Sequence, residues 1–162
     1  MRICRKTWLR ILLWLLVVLW MGIIFRFSAQ KAEDSDRTSG EVVNWLVPSV
    51  DQGVLAMPAE EQPAYVANWT FMVRKSAHFI LFTGMGVLAF AAFSVDLAAR
   101  RAFPAALALG TGWAVLDEIH QLFVPGRVCE FRDICIDTAG VLLGAALLLL
   151  VLRLIRRRKA GA

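Results

Sequence analysis

Four uncharged apolar runs govern what this chain can fold into: Ile11–Phe25, Phe79–Val95, Ala102–Leu116 and Thr138–Leu152. Three are 15 residues long and one is 17. At 1.5 Å of helical rise per residue, 15 residues cover roughly 22 Å, against about 30 Å of bilayer hydrocarbon. Each run must borrow flanking residues to cross. For the third and fourth runs those flanks are ionisable: Asp117 and Glu118 follow Leu116, and Asp137 precedes Thr138. The intervening segment, WAVLDEIHQLFVPGRVCEFRDICIDTAG (113–140), thus brings charge to membrane depth. One Asp, Arg or Lys at the centre of a membrane helix costs roughly 2.5–3.5 kcal/mol. Ionisable residues tolerated there are candidates for function.

Composition agrees with the membrane assignment. The chain is 59% hydrophobic with a mean hydropathy of +0.62, above the roughly 45–50% of soluble domains. Core helices of a soluble protein are the alternative, disfavoured by long runs with basic flanks. The expectation is an all-α, single-domain bundle of four transmembrane helices, spanning about 8–27, 76–96, 102–124 and 132–153, with an external segment over 28–74. The first run follows Arg2, Arg5, Lys6 and Arg10, as a signal peptide would. Phe27-Ser28-Ala29 is a poor cleavage site, however, and the Trp-rich stretch is expected to stay as an anchor.

Charge orients the bundle. With the N-terminus inside, the cytoplasmic side holds 11 bases and one acid, Asp96, and nets +10. The outer side holds 7 bases and 12 acids and nets −5. The positive-inside rule therefore places both termini in the cytoplasm of a plasma membrane. The tail RLIRRRKAGA is expected to anchor topology and touch anionic lipid, not nucleic acid.

Within the external segment, SAQKAEDSDRTSGE reads as a loop and Val42–Val47 as a stretch able to lie on the membrane surface. Pro48, Gly53, Pro58 and Pro63 break the remainder of the segment. Tyr65, Trp69 and Met72 share a helical face leading toward the second span. Pro125-Gly126 is a turn pair, making the third and fourth spans an antiparallel hairpin. Cys4 falls inside. Cys129 and Cys135 fall outside, where a disulfide is chemically allowed; on one helix they would stand roughly 9 Å apart, too far to bridge.

Helical spacing gathers the ionisable groups. Asp117, His120 and Gln121 share a face, as do Lys75 and His78. Asp133 and Asp137 continue into Gly140-x-x-x-Gly144, a pair that lets another helix approach closely. The acids should therefore point into the bundle, where a base or metal must answer them. The bases within reach are Lys75, His78, His120, Arg127 and Arg132.

These pieces in this order resemble the VanZ-like family of small bacterial membrane proteins. The resemblance is carried by Arg74-Lys75-Ser76-Ala77-His78-Phe79, Asp117-Glu118-Ile119-His120-Gln121-Leu122-Phe123, Val124-Pro125-Gly126-Arg127, Arg132-Asp133 and Asp137-Thr138-Ala139-Gly140. Phe27-Ser28-Ala29-Gln30 resembles the family's segment after its first span. The family is named for a protein associated with resistance to glycopeptide antibiotics of the teicoplanin kind. The resemblance implies a role in the cell envelope and supplies no reaction.

Three functions suit such a cluster. It can act as a binder of an envelope lipid, a lipid-linked cell-wall precursor or a glycopeptide antibiotic, with Lys75, His120, Gln121, Arg127, Arg132, Asp133 and Asp137 as the binding residues. It can act as a membrane-embedded enzyme on a lipid-linked phosphate, with Asp117, Glu118 and His78 as acid, base or ligands of Zn²⁺ or Mn²⁺. It can also be a buried ion-pair network that locks three helices together. A dimer acting in transport is a weaker fourth. The sequence leaves any cofactor or metal open, and Ser28 has no demonstrated base that would make it a nucleophile.

Overall fold

The computed structural model describes residues 5–50 and 57–161, with backbone alone for 48–50. Cys4 and Gly53 lie outside the described residues. The described chain is all-helical: α1 (Arg5–Ser28), α2 (Ala32–Val50), α3 (Gln62–Ser94), α4 (Ala99–Gln121) and α5 (Phe131–Ala160). Three of these, α1, α3 and α5, are long and apolar enough to cross a membrane. α4 falls short of that mark because Arg100 and Arg101 open it and Asp117 and Glu118 sit near its end.

Apolar surface is turned outward. Leu12, Leu15, Val18 and Leu19 of α1 are more than half exposed, and Leu147, Leu150 and Val151 of α5 about half. Contiguous exposed apolar surface on this scale is at home in lipid. The closest helix contacts are made by small residues instead. Gly140 and Gly144 seat α5 on the α3 backbone: a Cβ on Gly140 would lie 2.6 Å from the Phe79 carbonyl oxygen, and one on Gly144 would strike the Thr83 carbonyl. Gly86 of α3 meets the Val141 carbonyl of α5 in the same seam. Ala89, Ala102, Ala106 and Ala145 are fully buried and pack in one cluster with Phe90. α1 is held to α3 by Trp20, whose Nε1 donates to the Leu81 carbonyl at 2.8 Å, and by the edge-on Trp14–Phe93 pair at 5.1 Å.

The polar stretch after α1 departs from the expected loop. Ala32–Val50 is helical, and α3 begins at Gln62, well before the expected start near 76. The physical reason is an apolar stripe that the charged residues masked. Val43 and Val47 are buried against Tyr65, Val66, Trp69 and Val73 of α3, while Asp34 and Arg37 face out. α3 has 33 residues, or roughly 50 Å of helix, more than one bilayer core requires. Its first four turns stand beyond the apolar section and serve as the wall on which α2 packs.

The two ends of the bundle differ in chemistry. At one end Asp96, in the α3–α4 connection, pairs with Arg10 at 2.6 Å and Lys6 at 3.5 Å. The hydrogen bond from Arg10 leads the causes that hold its carboxyl below the usual range. Arg153 and Arg156 of α5 lie at that same end, beside Leu97 and Ala98. The opposite end carries the loop between α4 and α5. Gly126 there has φ of 77°, and the Arg127 amide donates to the Val124 carbonyl at 3.1 Å. That is a turn with Pro125 and Gly126 at its corners, as expected of this pair. Cys129 and Cys135 are both free and exposed.

Candidate functional site

One face of each long helix delivers a polar side chain to the end of the bundle that carries this turn. α3 supplies Lys75 and His78 one turn apart, α4 supplies Asp117 and Gln121, and α5 supplies Asp133 and Asp137. The i, i+3 and i, i+4 spacings make each pair share a face. Asp117, Glu118 and Asp137 are at most 1% exposed. Apolar packing by Phe82 and the glycine seam lies just beneath them.

Asp117 is oriented by two donors. Ser28 at the end of α1 donates its hydroxyl to Asp117 Oδ2 at 2.6 Å, and Gln121 Nε2 donates to the same oxygen at 3.3 Å. Oδ1 has no hydrogen-bond partner among the described residues. Asp137 is barer still, with neither oxygen hydrogen-bonded. The His78 ring faces it, with Nδ1 3.8 Å from Oδ2. One ligand atom from each of His78, Asp117 and Asp137 lies within 4.8 Å of the others. Among the described residues, these three are placed to hold a metal ion together.

The remaining candidates divide into those engaged elsewhere and those at the rim. Lys75 pairs with Asp133, both half-buried or better. Glu118 accepts the Glu130 amide at 2.9 Å and so fixes the start of α5, while its second oxygen has no partner among the described residues. Arg132 pairs with Glu130 in the open at 2.7 Å and lies over the Phe71 ring with Arg74 and Lys75. His120 shares the α4 sequence pattern of Asp117, yet its ring stacks on Phe25 of α1 at 4.1 Å rather than joining His78 and the two aspartates. Arg127 donates through Nε to the Gln30 carbonyl at 3.3 Å. Burial, followed by the nearby charge of Arg74, pulls its guanidinium below the ordinary arginine range, against the opposing pull of Asp36, Glu118 and Asp117.

Two cavities meet at these residues. One, of about 370 Å³, runs between α2 and α3 past the end of α1. Val42, Val73, Ile80 and Leu81 give it apolar walls, and His78, Arg74 and Arg127 line it too. The other, of about 170 Å³, is polar and is bounded by Lys75, Gln121, Glu130 and Asp133. Arg74 and Arg127 line both. Arg74 is also paired with Asp36 of α2.

Sequence reasoning missed part of this assembly. Ser28 was legible only as part of the Phe27–Gln30 resemblance, and its bond to Asp117 spans 89 positions. Ser35, Thr38 and Ser39, which line the larger cavity, lie in the segment expected to be a loop. A helical spacing of Ser35, Ser39, Val43 and Val47 was the available signal, since all four are buried.

No curated protein and no solved structure matches the chain significantly. The VanZ/LLP1 family model, in contrast, matches residues 13–153, which takes in α1 from Leu13, the polar cluster and α5 to Arg153. The chain belongs to the VanZ/LLP1 family.

Proposed function

We propose that this is a four-span protein of the bacterial plasma membrane, with both termini cytoplasmic, that binds the anionic headgroup of an envelope lipid in an outward-facing pocket. The observation that carries it is the shared position of Arg74 and Arg127, between an apolar groove and a polar vestibule. A groove with Val and Ile walls accepts a hydrocarbon chain, and a pair of guanidiniums at its mouth accepts a phosphate. A volume of about 370 Å³ falls among small-ligand sites. The strongly basic end with Arg10, Arg100, Arg101 and Arg153 supports a cytoplasmic assignment for that end. α4 then crosses as the fourth span, its acids at the outer boundary. Resistance to glycopeptide antibiotics, where a member confers it, would run through a lipid-linked wall precursor held in this groove.

A second function, hydrolysis or transfer at the lipid-linked phosphate, is favoured by one feature: His78 lines the groove and also stands beside Asp137. Acid–base groups next to a held phosphate are what such chemistry needs.

Binding is tested with the full chain in nanodiscs of neutral lipid, titrated with a polyprenyl phosphate and with the matching polyprenol. The phosphate should bind at least tenfold more tightly, and Arg127→Ala should remove that preference. Equal binding of the two probes, or an unchanged preference in Arg127→Ala, would overturn the assignment.

A further inference from the structure

The geometry points to a divalent-cation site formed by His78, Asp117 and Asp137, one ligand from each of three helices. It rests on the arrangement of these side chains alone and stands or falls separately from lipid binding.

The first line of argument is spacing. Ligand atoms about 2.0–2.2 Å from one ion stand roughly 3–4 Å from each other, depending on the angle between them. His78 Nδ1 and Asp137 Oδ2 are 3.8 Å apart, too far for a hydrogen bond and suited to two atoms flanking one ion. The whole set lies within 4.8 Å, compact enough for small inward rotamer shifts to close it.

The second is an unmet need. Both oxygens of Asp137 and Oδ1 of Asp117 have no hydrogen-bond partner among the described residues, although each residue is 1% exposed. Buried carboxylates are ordinarily paired or ligating. None of the bases on the rim reaches them: Lys75 pairs with Asp133, Arg132 with Glu130, and Arg127 turns its Nε to the Gln30 carbonyl. A divalent ion balances two aspartates in full and engages one free oxygen of each.

Third, the site has a support and an entrance. Ser28 and Gln121 hold Asp117 Oδ2, which turns Oδ1 free as the ligating atom. Such outer hydrogen bonds fix the direction of a ligand. His78 lines the neighbouring groove, which gives an ion a path and leaves a coordination position facing a bound molecule. Three protein ligands with one open position is the arrangement of ions that polarise a substrate or water. One imidazole and two carboxylates favour Zn²⁺ or Mn²⁺ over softer ions.

The test uses the full chain purified in detergent, stripped with a chelator and then titrated with Zn²⁺ or Mn²⁺ by calorimetry, with bound metal counted by mass spectrometry after desalting. One ion per chain is expected. Asp137→Asn and Asp117→Asn should each weaken binding at least tenfold, while Glu33→Gln, exposed on α2, should leave it unchanged. Thermal unfolding guards against variants that fail to fold. Without metal, Asp137→Asn should be at least as stable as the parent, because it removes a buried charge; with metal, only the parent should gain stability. No bound ion above a detergent blank, or an adventitious ion held equally by Asp137→Asn and Asp117→Asn, would overturn the site.

Discussion

Replacing Gly144 by Ala is a sharp probe of how α5 meets α3. The added Cβ would strike the Thr83 carbonyl oxygen, and would lie 2.9 Å from the Thr83 carbonyl carbon and 3.0 Å from the Val87 amide nitrogen. All three are backbone atoms of a helix, so none can rotate away. The helices must part by roughly 1 Å, and a gap of that size forfeits a quarter to a half of the dispersion energy across the opened contacts. Overpacking of this kind costs about 1–3 kcal/mol. Gly112→Ala on α4 is the matched control, since nothing lies within 4 Å of its Cβ. There the substitution should gain about 0.5–1 kcal/mol of helix propensity. At about 2–4 °C per kcal/mol for a chain of this size, thermal unfolding in detergent should show Gly144→Ala lowered by about 2–12 °C and Gly112→Ala unchanged or raised. Equal melting temperatures for the two variants would refute the close α3–α5 seam. The seam also positions chemistry, because Asp137 and His78 ride on the two helices it joins. Gly144→Ala should therefore weaken divalent-ion binding without touching a ligand.

Other outcomes rest on single contacts. Ser28→Ala removes a hydroxyl bond to a buried carboxylate and should cost about 1.5–3 kcal/mol, read by the same unfolding assay. Lys75→Met leaves Asp133 unpaired and should cost a few kcal/mol, below the roughly 3–5 of a fully buried pair; the double variant Lys75→Met/Asp133→Leu should recover much of it. The Asp96 carboxyl is held below its ordinary value of 3.8 chiefly by Arg10. A lowered pKa means the stabilisation is present above the unfolded value and fades as pH falls through the folded one. The parent should therefore be more stable than Asp96→Asn at neutral pH and converge with it below about pH 4, as judged by unfolding across pH.

The membrane helices were readable because their signal is bulk apolarity over long runs, which no neighbour can disguise. The burial of the acids was readable for a related reason: Asp137 adjoins the uncharged run Thr138–Leu152 and shares a face with Gly140 and Gly144, and it is buried there. Facing was partly readable. Spacing put Asp117 and Gln121 on one buried face, and they share it; the same spacing put His120 there, yet Phe25 captures its ring from a helix some 90 positions earlier in the chain. α2 was hidden because its stripe of Ser35, Ser39, Val43 and Val47 is half polar, and serines become core only where α3 extends far enough to cover them. Pairing was the least legible. Lys75, Arg127 and Arg132 were all within plausible reach of the acids, and only the packed helices decide that Lys75 takes Asp133 while Asp137 is left with His78.

The arrangement rests most heavily on the polar cluster and the basic helix ends lying on opposite sides of one bilayer, with α4 crossing. Thiol labelling with a membrane-impermeant reagent on intact cells tests this directly, using native Cys129 in a chain with Cys4 and Cys135 replaced by serine. Cys129 should react from outside. A single cysteine placed at Asp96 or at Arg158 in the same background, with Cys129 also replaced, should react only after permeabilisation. Labelling of position 96 from outside, or of Cys129 only after permeabilisation, would contradict four spans with an outward-facing site.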